Sequence, residues 1–362
     1  MSPRELVSTW LSRAVESRAF PAGSAAVVTR ENELLRTEQP SPPSEGRLIY
    51  DLASLTKVMA TTMVCLRLID RGELDLEATI SRFVSAPAEK ASITILDLLR
   101  HTGGFEAHFD LAAASASEQG QRAFDPLDVI LGRPLSYRPG TDVVYSCIGF
   151  ILLGRILERA TGERLDELAR RLVFEPLALE ATGYLPESWV RATDTVLPTE
   201  RNPQTGAFIR GIVHDENARF LGGVSGNAGL FSCLDDCARF ASLLLNSCDG
   251  FLSSRLYETM VRNWTPGMQA ARGLGFSLID SSGSWPGGAV LAEGAFGHTG
   301  FTGTSLVVSP AYGLAFVLLT NRVHFGRDLA VMPQYRSDFH ATALGAVTAP
   351  DAVSYPTQDR TP

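Results

Sequence analysis

Ser54 and Lys57 stand three residues apart in Asp51-Leu52-Ala53-Ser54-Leu55-Thr56-Lys57, just ahead of an apolar run from residue 58 to 69. On a helix that spacing puts both side chains on one face, with the amine able to reach the hydroxyl. The pairing is that of a nucleophile beside a base. Lys57 and Lys90 are the only lysines, so 30 of the 32 basic residues are arginine. Arginine keeps its proton in any protein environment, whereas a partly buried lysine can lose its own and accept one from a serine.

Two further stretches hold residues of matching chemistry. Tyr145-Ser146-Cys147 follows a Pro139-Gly140 turn and precedes a helical pattern, which puts a phenol at an element boundary. A buried phenol near an ammonium can have its pKa lowered enough to act as a base. His298-Thr299-Gly300-Phe301-Thr302-Gly303 leads into a strand pattern, and its glycines allow a ligand close to the backbone. The N–H after Gly300 could complete an oxyanion hole. His101-Thr102-Gly103-Gly104 reads as a helix C-cap with a structural histidine. His214-Asp215 could polarise each other, but the pair supplies too few ligands for a metal.

The elements that must position these residues are legible in outline. Residues 3–18 read as an amphipathic helix, then residues 23–30 and 33–36 as a hairpin. Residues 37–46 read as a loop, because three prolines and a glycine fall there. A helix apolar nearly all round runs from Ser54 to Arg71 and stops at Gly72; its first turn aims backbone N–H groups and the positive dipole end at the site. The middle of the chain is mainly helical, clearest at 94–100, 149–161 and 164–174, with residues 112–122 read as a mobile loop. The glycine-rich stretch 222–229 lacks a phosphate-loop Gly-Lys-Ser/Thr and reads as a close-packed turn near the pocket, followed by a helix to Leu245 capped by Ser232. Strand patterns at 275–279, 291–297, 305–308 and 313–320 precede a closing helix at 335–346. Strands at both ends with a helical middle predict an α+β fold with one antiparallel sheet from the two termini. The expected division is 1–72 with 219–350 as an α/β sandwich and 73–218 as a helical insert; 351–362 reads as a disordered tail.

Composition narrows the classes. A chain of 362 residues, 45% hydrophobic and 20% charged, can build its own core. A net charge of -8 without a long basic run argues against nucleic acid or an anionic membrane as partner and points to a small substrate. No export signal is visible near the N-terminus, and the apolar runs are too short to span a bilayer. Five cysteines without a Cys-x-x-Cys pair suit reduced thiols in a cytoplasm.

With Ser54-x-x-Lys57, Tyr145-Ser146-Cys147 and His298-Thr299-Gly300 in that order, the chain resembles the penicillin-recognising serine hydrolases. It is similar above all to the class C beta-lactamase branch, with its family VIII carboxylesterases, DD-peptidases and D-aminopeptidases. The resemblance implies a beta-lactamase/transpeptidase-like fold with the active site between an α/β sandwich and a helical domain, and no metal or organic cofactor. It implies that Ser54 forms an acyl-enzyme, that Lys57 and Tyr145 share the proton, and that the N–H groups of Ser54 and Phe301 hold the oxyanion. Substrate contacts would fall to His298, Thr299, Gly300, Cys147 and His214. Two departures stand out: His298 replaces the usual lysine of the third motif, and Cys147 replaces the usual asparagine of the second. Both weaken penicillin or peptide recognition. The expected activity is therefore an esterase on small acyl esters, with an amidase or peptidase on D-amino-acid or muropeptide substrates next. A beta-lactamase and a non-catalytic binding protein are further alternatives.

Overall fold

The computed structural model describes residues 1–31, 33–39, 45–117, 125–279, 291, 293–328 and 331–348. Among them the strands are β1 (Gly23–Thr29), β2 (Glu33–Gln39), β3 (Leu48–Asp51), β4 (Thr195–Val196), β5 (Phe231–Ser232), β6 (Ser277–Leu278), β7 (Phe296–Thr299), β8 (Ser305–Ser309) and β9 (Leu314–Thr320). The α-helices are α1 (Pro3–Glu16), α2 (Met63–Asp70), α3 (Ile95–Leu99), α4 (Leu111–Ser117), α5 (Pro126–Gly132), α6 (Cys147–Thr161), α7 (Leu165–Ala169), α8 (Glu216–Phe220), α9 (Leu234–Leu245), α10 (Ser254–Val261) and α11 (Met332–Thr348).

Alternation along the strands decides the layers. In β9, Leu314, Phe316 and Leu318 join one apolar cluster while Ala315, Val317 and Leu319 join another. Successive side chains of a strand point to opposite faces, so the central sheet is covered on both sides. Its strand order is β2-β1-β9-β8-β7-β6, and every adjacent pair is antiparallel. Helices α1 and α11 cover one face through Val7, Leu11, Phe339 and Ala343; α9 covers the other through Phe240, Ala241 and Leu244. The two ends of the chain thus build one sheet, as the strand patterns predict. A smaller sheet, β4-β3-β5, lies beside the start of the Ser54 segment.

The predicted helix from Ser54 to Arg71 forms in two pieces. Residues Lys57–Thr62 are a π-helix, all buried, which passes into α2 and ends at Gly72 with φ +73°. The wide turn lets the Thr61 hydroxyl donate to the Gly226 carbonyl at 2.8 Å. Gly226 in turn lies on α6: a Cβ there would stand 2.0 Å from the Phe150 carbonyl oxygen, and one on Gly154 would stand 3.0 Å from the Gly226 Cα. The glycine-rich stretch is a close-packed turn because two backbones meet there without side chains between them.

Three expectations change. The region expected as a mobile loop at 112–122 begins as helix α4, consistent with its run of alanines, and is anchored where the Leu111 N–H donates to the Asn217 side chain at 2.9 Å. Positions 118–122 fall outside the described residues, as does the expected tail 351–362. Strand β2 continues to Gln39, into the expected loop. Ser232 does not cap α9; it lies in β5, its hydroxyl 2.7 Å from that of Thr182, and Cys233 holds the N-cap position. Among the described residues no helix is long and apolar enough to cross a membrane.

Replacing Gly226 by alanine forces a methyl into the Phe150 carbonyl. Chemical denaturation of Gly226→Ala is expected to show a loss of about 1–3 kcal/mol in unfolding free energy; unchanged stability would contradict the close approach of the two backbones.

Candidate active site

Ser54 stands at the tip of a strained turn. Ala53 before it has φ +47°, a left-handed conformation unfavourable for a residue with a Cβ. Side chains from both flanks hold the strain. The Asp51 carboxylate accepts the Ala53 N–H at 2.8 Å, and the Thr56 hydroxyl donates to the Ala53 carbonyl at 2.6 Å. Thr56 also accepts the Leu230 N–H at 3.1 Å, and the Leu52 N–H donates to the Leu230 carbonyl at 2.9 Å.

Lys57 is fully buried, and its Nζ donates to Ser54 Oγ at 3.0 Å and to the Asn227 carbonyl at 3.0 Å, with Cys147 Sγ at 3.5 Å. The Tyr145 ring centroid lies 4.9 Å from the same nitrogen. Burial works against the ammonium, but Cys147 and Tyr145, whose ionised forms would sit against it, outweigh burial and hold its pKa up at about 12. Burial raises the Tyr145 phenol as well, against the pull of Lys57. That hold exists only while one of those neighbours carries a negative charge, so proton sharing within the cluster, rather than burial alone as expected, decides whether the amine can act as a base.

The Tyr145 loop is braced from behind. His101 at φ +63° accepts the Ser146 N–H on Nδ1 at 3.1 Å, and its ring lies 4.8 Å from that of Tyr145. Burial, then Arg272 and Lys57, push its pKa well below the usual value, so it is a neutral support, in line with the structural role expected of it.

A cavity of about 400 Å³ opens in front of Ser54, lined by Tyr145, Arg272, Ser277, His298, Thr299, Gly300, Phe301, Met332, Pro333 and Arg336. His298 ends on β7 with Nδ1 2.8 Å from its neighbour Thr299's carbonyl oxygen, and its buried Nε2 has no partner. Burial, then Lys57 and Arg272, push its pKa down to about 3. The ring is neutral, with Nδ1–H donating to that carbonyl. Gly300 has no room for a side chain, because a Cβ would stand 2.1 Å from Thr304 Oγ1 and 2.6 Å from the Leu52 carbonyl oxygen. Among the described residues, the N–H groups of Ser54 and Phe301 have no acceptor.

Ser54, Lys57, Tyr145, Cys147, His298, Thr299, Gly300 and Phe301 therefore come together; Cys147 sits beside Lys57 rather than in the cavity wall. His214 does not reach the cavity. Its ring stacks behind Phe301 at 5.6 Å with Nε2 3.3 Å from Glu200, and its backbone N–H donates to Asp51 at 2.7 Å. Asp215 is not its partner, because that carboxylate caps α8 by accepting the Ala218 N–H.

Sequence reasoning missed Arg272 and Arg336, which line the cavity. Arg272 donates to Ser277 Oγ at 2.6 Å and faces the Tyr145 ring at 5.6 Å, while its Nε is buried without a partner. Burial lowers the pKa of both, that of Arg336 to about 10. Among the described residues neither has a carboxylate within ion-pair distance, and the cavity wall contains no acidic side chain. A nucleophile-bearing turn, a buried amine, two N–H donors and a positive wall can together perform acyl transfer on a carbonyl substrate.

The family model for beta-lactamase matches residues 7–341. The chain belongs to the beta-lactamase family. It is 34% identical to an N-acetylmuramyl-L-alanine amidase of Bacillus subtilis, with 77% of this chain and 69% of that protein covered. It is 32% identical to a protein of Escherichia coli O157:H7 named as a candidate D-alanyl-D-alanine carboxypeptidase, over 87% of this chain and 81% of that one. In fold it is similar to EstCE1, a hydrolase with promiscuous acyltransferase activity, with a TM-score of 0.70 at 19% identity over 93% of this chain and 98% of that chain. Members of the beta-lactamase family are serine hydrolases, and this beta-lactamase-family chain is one of them.

The depressed pKa of His298 has a directly observable consequence. Its imidazole is expected to show no NMR titration shift between about pH 5 and 8, whereas a solvated histidine titrates near about 6.5. Because the unfolded chain takes up that proton first, the buried neutral ring favours folding at higher pH, and that contribution is lost progressively as pH falls from the unfolded value through the folded one of about 3. A His298 titration midpoint near neutrality would contradict this environment.

Proposed function

We propose that Ser54 Oγ attacks a substrate carbonyl, that its proton passes to the Lys57–Tyr145 cluster, and that the same cluster returns a proton to the departing alcohol or amine. Water, deprotonated in the same way, then attacks the acyl-enzyme and releases the acid with Ser54 restored. The N–H groups of Ser54 and Phe301 hold the developing oxyanion.

The observation that carries the substrate reading is the cavity wall: Arg272 and Arg336 line the space in front of Ser54, and among the described residues neither has a carboxylate within ion-pair distance. Desolvated cations without counter-charge are costly, and a substrate carboxylate relieves that cost. This favours a small ester or amide bearing a carboxylate on its leaving side over the small acyl ester expected from sequence. It moves the reading towards the amidase or carboxypeptidase alternative, in keeping with the names of the two relatives. His298 is neutral and supplies no charge at mildly acidic pH; Arg272 takes the part expected of the missing lysine. A cytoplasmic location rests on five unpaired cysteines, four of them buried.

Two substrates with one acyl group, one leaving a free D-amino or D-hydroxy acid and the other its methyl ester, separate the readings. A charge-assisted contact contributes about 1.5–3 kcal/mol, so the free acid is expected to have a kcat/KM about 10–100-fold higher, and Arg272→Gln to erase most of that difference. Equal rates for the two substrates in the wild type would defeat the charged-substrate reading and restore the small acyl ester.

A further inference from the structure

The Phe301 N–H belongs to the Gly300–Phe301 peptide, and in a trans peptide its direction is set by the carbonyl at the other end. That carbonyl is not left to solvent. Arg336 Nη2 donates to the Gly300 oxygen at 2.9 Å and to the Thr304 oxygen at 3.1 Å. The Thr304 oxygen also accepts the Gly300 N–H at 2.7 Å, and the Gly303 N–H donates to the Gly300 oxygen at 3.0 Å. On the far side, Arg322 Nε and Nη2 both donate to the Phe301 oxygen at 3.0 and 2.9 Å. Two guanidinium groups thus grip the carbonyls before and after one N–H.

Arg336 reaches this position from α11, where it occupies a buried site in register with Met332, Phe339 and Ala343. It is 5% exposed and, among the described residues, has no carboxylate partner. A buried cation is kept in a helix core at a cost, so its carbonyl contacts need a reason beyond packing. A cation on an amide oxygen draws electron density through the peptide and makes the N–H at the other end a stronger donor. It also fixes that N–H before the reaction, so no reorganisation is needed as the oxyanion forms.

We propose that Arg336 is a positioning residue for acyl transfer, orienting and polarising the Gly300–Phe301 peptide so that its N–H meets the oxyanion, with Arg322 fixing the next carbonyl. The inference rests on the reading of Ser54 as nucleophile and adds a part to it. The effect grows with charge on the substrate oxygen, so it falls on kcat more than on KM.

The test uses p-nitrophenyl butyrate, which carries no carboxylate and keeps charge recognition out of the readout. Arg336→Met is expected to lower kcat about 10–100-fold with KM changed less than about threefold, and to weaken an arylboronic acid, which mimics the tetrahedral species, by the same factor as kcat/KM. Arg336→Lys keeps the charge, but its side chain is one atom shorter than the reach to Nη2, and it is expected to recover about half of that loss on a logarithmic scale. If the methionine variant fails to fold, the lysine variant decides alone, through a parallel fall in kcat/KM and boronate affinity. Unchanged kcat, or a loss confined to KM, overturns the proposal. Ser54→Ala measured alongside tells the two readings apart: turnover that survives in it defeats the acyl-enzyme reading itself.

Discussion

The site depends on one buried ammonium. Lys57 Nζ is shared among Ser54 Oγ, the Asn227 carbonyl and Cys147 Sγ, and each partner comes from a different part of the chain. The serine belongs to the turn that enters the π-helix, the carbonyl to the glycine-rich stretch, and the thiol to the start of α6. A buried charge is tolerated only where its donors are satisfied, so the three segments must arrive together. The meeting of Gly226 and Gly154 allows the approach, since a side chain on either would clash across the contact between the glycine-rich stretch and α6. Packing far below the surface therefore decides whether a proton can move between Lys57 and Ser54.

A second constraint joins the two ends of the chain. The Thr302 hydroxyl donates to the Asp51 carbonyl at 2.7 Å and the Thr304 hydroxyl to that of Leu52 at 3.1 Å. These bonds tie the loop after β7 to the turn carrying Ser54, fixing two backbone N–H groups relative to each other. Gly300 fits because the same loop leaves no space for a Cβ. Preorganised donors of this kind need no rearrangement as charge develops on the substrate oxygen.

What the sequence made legible is what short spacing encodes. Ser54 and Lys57 lie within one turn, and His298 to Phe301 form one continuous loop, so their chemistry could be read from adjacent letters. The central sheet was legible because strand patterns lie at both ends of the chain with a helical middle between them. Arg272 was not legible: in a chain with 30 arginines, only tertiary packing separates one in a cavity from one in water. Arg336 did leave a signal, an arginine at a core position of the closing helix, four residues after Met332 and three before Phe339. The Lys57 pKa ran opposite to expectation because Cys147 and Tyr145, brought in from ninety residues away, outweigh burial. His214 looked paired with Asp215 only because they are neighbours in sequence; helix capping claims one and Glu200 the other.

The central claim is that Ser54 carries the acyl group. Peptide-mapped mass spectrometry after exposure to a fluorophosphonate tests it most directly, since the reagent bonds only to an activated hydroxyl. The account predicts a single adduct on the peptide containing Ser54, slower to form when Lys57 is replaced by methionine and absent from Ser54→Ala. An adduct on another residue, or a wild-type chain that stays unlabelled while still turning substrate over, would contradict it.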